Sequence, residues 1–213
     1  MKALIIANSA LPPLHIIRKL VRSADLVVCA DGGANAARKL HITPNVIVGD
    51  MDSISLATKK FFRGVPLLFV DDQNSTDLEK ALEFCIQRGL TTINVIGATG
   101  ERVDHTTGSL GCFKKFGRRA ELTLFDPAGE IRVIRKRIRF RAKKGEKLSL
   151  IPLERCDGVS TKNLKYMLYN EILELGFREG ISNEAIAPDV SVRVRRGTLL
   201  LYRLYKKEHQ KAR

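Results

Sequence analysis

Short apolar runs recur along the first 125 residues, spaced so that a helix fits between each pair. They fall at 3–7, 26–30, 46–48, 67–70, 93–96 and 122–125. Each has the length of a strand and lacks the apolar–polar alternation of a half-exposed one, so each reads as buried on both faces. The clearest helix between them covers 75–88. There Leu78, Leu82, Phe84, Cys85 and Ile86 make an apolar stripe, Ser75 offers an N-cap and Gly89 a stop. Regular strand–helix alternation predicts a mostly parallel, Rossmann-like sheet with helices on both faces. After Asp126-Pro127-Ala128-Gly129 the texture changes to short alternating runs broken by Gly and Pro, including 147–151, 190–194 and 198–204. Period-two alternation belongs to antiparallel sheets with one wet face. The expected organisation is an α/β domain over 1–127 and a smaller antiparallel all-β sandwich over 128–213.

Composition narrows the classes. A chain of 213 residues, 44% hydrophobic, can bury a full core. Its longest apolar runs are far below the roughly 20 residues of a membrane-spanning helix, and the apolar stretch at its start is too short for a signal peptide. The cytoplasm is the expected location. Cys29, Cys85, Cys112 and Cys156 form no Cys-x-x-Cys and three of them sit in apolar patterns, which fits reduced core thiols.

Charge changes the picture. The formal net charge is +14, yet Asp31, Asp50, Asp52, Asp71, Asp72 and Asp77 all fall within 31–77. Each follows an apolar run, which puts it on a loop leaving the end of a strand, where α/β sheets carry their chemistry. In 29–37, Gly32 and Gly33 stand between strand and helix, where they let a ligand approach the amides of the helix start; the common Asp-Gly-Gly turn fits equally. In 48–53, Asp50 and Asp52 at i and i+2 on an extended strand end point to one side, a set of hard oxygens suited to Mg²⁺; capping of a helix through Phe62 by Asp52 or Ser53 is the alternative. In 71–77, Asp71 and Asp72 read as solvated turn residues, and Asp77, at a helix start, is the better ligand. Carboxylates crowded at one sheet edge call for a cation to stay ionised. In 97–106, Gly97 to Gly100 give close backbone approach, Arg102 a phosphate-binding cation, and Asp104 another acid; His105 reads as a structural hydrogen-bonding residue.

Together these segments resemble the thiamine pyrophosphokinase family in order and spacing. The resemblance rests on 30–35, 49–54, 74–77 and 97–105, joined by 161–168, similar to that family's Gly-Leu-Lys-aromatic stretch, and by 180–184, similar to its Ser-Asn motif. It implies Mg²⁺-dependent transfer of a diphosphoryl group from ATP to the thiamine hydroxyl, giving AMP and thiamine diphosphate. By resemblance Asp50, Asp52 and Asp77 hold Mg²⁺ with Asp31 in support. Asp31, Gly32, Gly33, Asn35, Thr99, Gly100, Arg102 and Asp104 face ATP, and Asp77 or Asp104 accepts the hydroxyl proton. The family forms homodimers with a thiamine pocket shared between subunits, which implies that Tyr166 of the partner subunit stacks on the aminopyrimidine. Ser182 and Asn183 then hydrogen-bond it, and Gln73 and Asp77 contact thiamine from the first subunit. From the residues alone, Tyr166 reads as sheet packing. Asn163 stands where the family has Gly, and Asn tolerates positive φ.

Two other readings exist. Arg132, Arg135, Lys136, Arg137, Arg139, Arg141, Lys143, Lys144 and Lys147, with Arg203, Lys206, Lys207, Lys211 and Arg213 near the end, make a basic stripe that nucleic acid would attract. No aromatic interleaving, helix-turn-helix or zinc pattern accompanies it, and Ile138 and Phe140 alternate with the charges as in a strand with one wet face. Nucleic acid is therefore not expected as a partner. A catalytically inactive family member is the other alternative. Neither Gly-x4-Gly-Lys-Ser/Thr nor Gly-x-Gly-x-x-Gly occurs, which argues against other nucleotide enzymes.

Overall fold

A computed structural model describes residues 1–100 and 102–206. Glu101 and the basic tail positions Lys207, Lys211 and Arg213 lie outside the described residues. The chain divides into two compact units, Met1–Pro127 and Ala128–Arg213.

In the first unit, strands and helices alternate as β1 (Lys2–Ile6), α1 (Leu14–Ser23), β2 (Leu26–Ala30), α2 (Gly33–Lys39), β3 (Val46–Gly49), α3 (Leu56–Phe61), β4 (Leu67–Phe69), α4 (Asp77–Gln87), β5 (Thr92–Ile96), α5 (Val103–Phe116) and β6 (Glu121–Phe125). The six strands run parallel in the order β6-β5-β1-β2-β3-β4. Successive side chains of a strand face opposite ways. Leu4, Ile6, Val27, Cys29 and Ile47 accordingly pack with Ile17, Leu20, Ala34 and Ala37 of α1 and α2, while α4 lies against β1, β2 and β3 and contacts α5. The order reverses between β1 and β5, the place where such sheets open a crevice at the strand C-termini. There the loops after β1 and β5 are joined by Ala10 N–H donating to Thr99 O (3.1 Å) and Ser9 Oγ to the same oxygen (2.9 Å).

Three local expectations give way. The α4 cap is Thr76, not Ser75. Thr76 accepts from Glu79 N while Glu79 answers to Thr76 N, a reciprocal box that Ser75 cannot make because Leu78 occupies its third position. The cap of α3 is Ser55, whose Oγ accepts from Thr58 N, rather than Asp52 or Ser53. Strand β4 is exposed rather than buried: Leu67, Leu68 and Phe69 are open to solvent because β4 is a three-residue edge strand.

The second unit is all β. The strands β7 (Gly129–Ile134), β9 (Lys147–Pro152), β12 (Gly180–Glu184) and β14 (Leu199–Leu204) form one antiparallel sheet in the order β12-β9-β14-β7. A second runs β11-β10-β13-β8, built from β8 (Arg137–Arg141), β10 (Cys156–Lys162), β11 (Glu171–Leu173) and β13 (Asp189–Arg193). Leu148, Leu150, Leu199 and Leu201 of the first meet Val159, Leu173, Val190 and Val192 of the second in one core. Along β8, Ile138 and Phe140 pack on that core while Arg137, Arg139 and Arg141 point outward. Several other basic side chains are already paired: Arg203 with Glu130 and Glu146, Lys147 with Glu184, and Arg132 with Glu130. The basic residues are thus spread over both sheets and their connections, with Arg132, Lys147 and Arg203 of the first sheet held in ion pairs.

The four cysteines are buried and free. Burial pushes the thiols of Cys29, Cys85 and Cys112 up to about 12 and that of Cys156 to about 11. A raised thiol pKa leaves almost no thiolate, the reactive form, near neutrality. A thiol reagent at pH 8 is expected to label none of the four in the native protein and all four in denaturant, read by mass spectrometry. No helix among the described residues is long and apolar enough to cross a membrane.

Candidate active site

Parallel strands deliver all their C-terminal ends to one sheet edge, and β2, β3 and the β4–α4 connection each end there on an aspartate. Asp31 follows β2, Asp50 follows β3 and Asp77 opens α4; an oxygen of each lies within 4.8 Å of the other two. Asp31 is 1% exposed. Its Oδ2 accepts from Ser53 N (3.1 Å), while Oδ1 is buried without a hydrogen-bond partner. A buried acceptor left empty costs about 1–3 kcal/mol, so Oδ1 is available to a further ligand. Burial above all raises the Asp31 pKa; the neighbouring Gly32 and Ser53 amides work against this, and the nearby Asp77 charge adds to it. Gly49 makes the approach possible. A Cβ there would sit 2.7 Å from Asp31 Cβ and 3.1 Å from Asp77 Oδ1, and its φ is +153°.

The triad also encloses a cation that no motif in the sequence points to. Lys80, one turn along α4 from Asp77, has a side chain 3% exposed; its Nζ donates to Asp77 Oδ1 (3.1 Å) and lies 3.7 Å from Asp50 Oδ2. Burial alone would lower its pKa, but the hydrogen bond and charge of Asp77, with Asp50 behind it, hold it above the usual lysine range. The available signal was a lysine inside the apolar stripe of α4, between Leu78 and Ala81–Leu82.

Asp52 stands apart from the triad. Met51 adopts φ +66°, so the backbone turns between Asp50 and Asp52 and the extended i, i+2 geometry is not realised. Asp52 is exposed, and its Oδ1 accepts from Ser53 Oγ (2.8 Å). This loop is held from outside: Asn35 Nδ2 donates to Ser53 O (2.8 Å), Asn35 Oδ1 accepts from Ser55 N (3.1 Å), and Lys59 Nζ donates to Met51 O (2.8 Å). Both ends of the Asn35 amide are thus engaged within the protein. Gly33 is needed for packing, since a Cβ there would lie 2.0 Å from Ile6 O.

The pair Asp71–Asp72 is a turn, as its sequence suggests. Asp72 accepts from Ser75 Oγ (2.6 Å) and Asn74 N (2.9 Å), and these bonds, the Ser75 hydroxyl foremost, lower its pKa. Gln73 is exposed and donates to Asp71 Oδ1. After β5, Thr99 is buried and its Oγ1 has no hydrogen-bond partner, while Gly100 N donates to Thr106 Oγ1 (3.2 Å). Arg102 and Asp104 are exposed and paired through two hydrogen bonds. The Arg102 guanidinium holds the Asp104 carboxyl down at about 2, which makes Asp104 a feeble proton acceptor and a firm orienting group for Arg102.

In the second unit Tyr166 is 60% exposed in the β10–β11 connection, so it does not serve sheet packing. Lys165 Nζ lies 5.6 Å from its ring centroid. Asn183, 4% exposed, receives Tyr166 N–H at Oδ1 (3.1 Å) and donates Nδ2 to Tyr166 O (2.8 Å), fixing the backbone from which the ring projects. Its neighbour Ser182 is exposed at φ +58°, within a register shift of β12 against β9. Asn163 takes φ +63° and donates Nδ2 to Asp189 O, the turn conformation expected of an Asn at a Gly position.

The profile of the thiamin pyrophosphokinase catalytic domain matches residues 17–125, and that of the thiamin pyrophosphokinase vitamin B1 binding domain matches 134–199. Thiamine pyrophosphokinase 1 of Oryza sativa subsp. japonica is 32% identical over 54% of this chain and 52% of its own length. The thiamine pyrophosphokinase of Bacillus subtilis is 27% identical over 90% of this chain and 94% of its own. The chain spans about half the length of the first curated relatives it matches. Among solved structures, the thiamine pyrophosphokinase from Bacillus subtilis superposes with TM-score 0.83 at 22% identity, over 97% of this chain and 100% of that one. The Candida albicans thiamin pyrophosphokinase gives 0.84 at 17%, over 95% and 88%.

Proposed function

This chain belongs to the thiamine pyrophosphokinase family, and on that footing we propose that it transfers a diphosphoryl group from ATP to thiamine. The thiamine hydroxyl oxygen bonds to the β-phosphorus as the bond from that phosphorus to the AMP oxygen breaks, so the products are AMP and thiamine diphosphate. The observation that carries the reading is the convergence of Asp31, Asp50 and Asp77 with the Asp31 Oδ1 buried and unpartnered. Three hard oxygens and an unfilled acceptor fit Mg²⁺, which keeps waters and substrate phosphates as its other ligands. When bound, Mg²⁺ neutralises the charge that develops on the transferring phosphates.

The chain's own residues do the rest. Asp31, Asp50 and Asp77 hold the cation. Asp52, beyond the Met51 turn, would act on it from outside the triad. Thr99 Oγ1, buried and unpartnered, and the Gly97–Gly100 backbone contact the nucleotide. Arg102, oriented by Asp104, presents its remaining N–H groups to phosphate. A loose transition state asks little of a base, so the hydroxyl proton passes to the aspartate cluster rather than to Asp104. Tyr166 receives the cationic thiamine ring, with Asn183 setting its backbone and Ser182 beside it. Because the family is expected to build this pocket from two subunits, Gln73 and Asp77 act from one and Tyr166 of the partner subunit from the other. The exposed Met167, Tyr169, Leu175, Phe177 and Ile181 support a homodimer. Four free buried thiols support the cytoplasm as its compartment.

With ATP, Mg²⁺ and thiamine, AMP and thiamine diphosphate are expected in equal amounts, read by chromatography. ADP with thiamine monophosphate would overturn the reaction; the absence of any product would favour an inactive family member.

A further inference from the structure

Lysine is among the residues most reluctant to be buried without a partner, and Lys80 is buried where, among the described residues, three carboxylates meet. Its ammonium is not shared equally. It faces Asp77 Oδ1 and Asp50 Oδ2 at 3.1 and 3.7 Å, while Asp31 is held on its other oxygen by Ser53 N and keeps Oδ1 unpartnered. Two acids therefore have a counter-ion supplied by the fold, and the third is left to an incoming cation. Formal charge gives the arrangement a meaning: three carboxylates and one ammonium leave two negative charges, the complement of one divalent ion.

We propose that Lys80 is a positioning residue that acts as the resident counter-cation of the aspartate triad. It holds Asp50 and Asp77 in place before nucleotide arrives, and it limits the site to a single, moderately bound divalent cation. The inference rests on the metal reading given above. It follows from position and charge: an ammonium this close to two ligand oxygens repels any second cation, and without it the triad would draw divalent ions more tightly and repel itself when none is bound.

The test uses the full chain and Mn²⁺ as probe, with no nucleotide or thiamine present. Lys80→Met keeps most of the side chain's length and removes its charge. By electron paramagnetic resonance, the Mn²⁺ dissociation constant of Lys80→Met should fall at least about tenfold below wild type, the sign and scale of removing one nearby positive charge. In chelator the same variant should melt well below wild type, and Mn²⁺ should restore most of the difference. Asp31→Asn/Lys80→Met, which removes one charge of each sign, should melt closer to wild type in chelator than Lys80→Met alone. If Lys80→Met folds only with cation present, it is purified in Mg²⁺, and the double variant supplies the comparison in chelator. Unchanged or weaker Mn²⁺ binding, with a stability loss that neither Mn²⁺ nor Asp31→Asn recovers, would reduce Lys80 to packing and overturn the proposal. Wild type that binds no Mn²⁺ would overturn the metal reading itself, and this inference with it.

Discussion

Asp77→Asn is expected to lower turnover by roughly 10³-fold, the equivalent of ~4 kcal/mol of transition-state stabilisation, with its melting temperature within a few degrees of wild type. The asparagine keeps an oxygen for Lys80 Nζ and the size that Asp77 fills against Gly49, so the fold loses little. What disappears is one of the three charges proposed to hold the cation. Asp50→Asn should behave in the same way. Asp52→Asn is expected to be milder, on the order of tenfold, because its carboxylate lies outside the triad, and an acid acting through water contributes less than a direct ligand. Steady-state rates with thermal melts on the three variants decide it. An Asp52→Asn loss as deep as that of Asp77→Asn would mean that the loop pinned by Asn35 and Lys59 rearranges to bring Asp52 onto the metal, as the family resemblance alone implies.

Gly33→Ala is expected to cost the fold a net ~2 kcal/mol, a fall of roughly 5–10 °C in melting temperature, although alanine is the better helix former. Helix propensity favours the substitution by at most about 1 kcal/mol, the value for a helix interior, since Gly33 opens α2. Against it, the new Cβ would lie 2.0 Å from Ile6 O and 2.7 Å from Ile6 C, backbone of a strand paired on both sides in the middle of the sheet. Overpacking costs 1–3 kcal/mol where side chains can yield; here only backbone can, which puts the cost at or above the top of that range. A melting temperature equal to or above wild type would show that α2 has room to slide outward.

The strand pattern was legible because parallel strands buried on both faces read as unbroken apolar runs, and β2 begins and ends where its run does. The edge strand misled for the same reason. Leu67, Leu68 and Phe69 read as core, and nothing local says that β4 has a neighbour on one side only. The α4 cap was readable from Glu79, three positions after Thr76. At the site, Asp31 and Asp50 stood out by following strands and Asp77 by opening a helix. The turn at Met51 did not, since a left-handed φ at a non-glycine residue has no sequence signature. Lys80 was hidden for a different reason. A lysine three residues after an aspartate looks like an ordinary surface pair, and its place between Leu78 and Ala81–Leu82 was the one local sign against that.

The triad draws one acid from each of three consecutive segments, and its closeness depends on β2, β3 and β4 being in register, with Ala30 opposite Val48 and Gly49 opposite Phe69. A slip of one residue turns a strand's side chains to the other face and shifts its exit by about 3.3 Å, enough to part the carboxylates. Helices can form early from local contacts, but this cluster exists only after the two crossovers that join β2, β3 and β4 have closed and α4 has docked. If the triad binds a divalent ion as proposed, a chain that binds one is a chain whose β2, β3 and β4 have paired in this register.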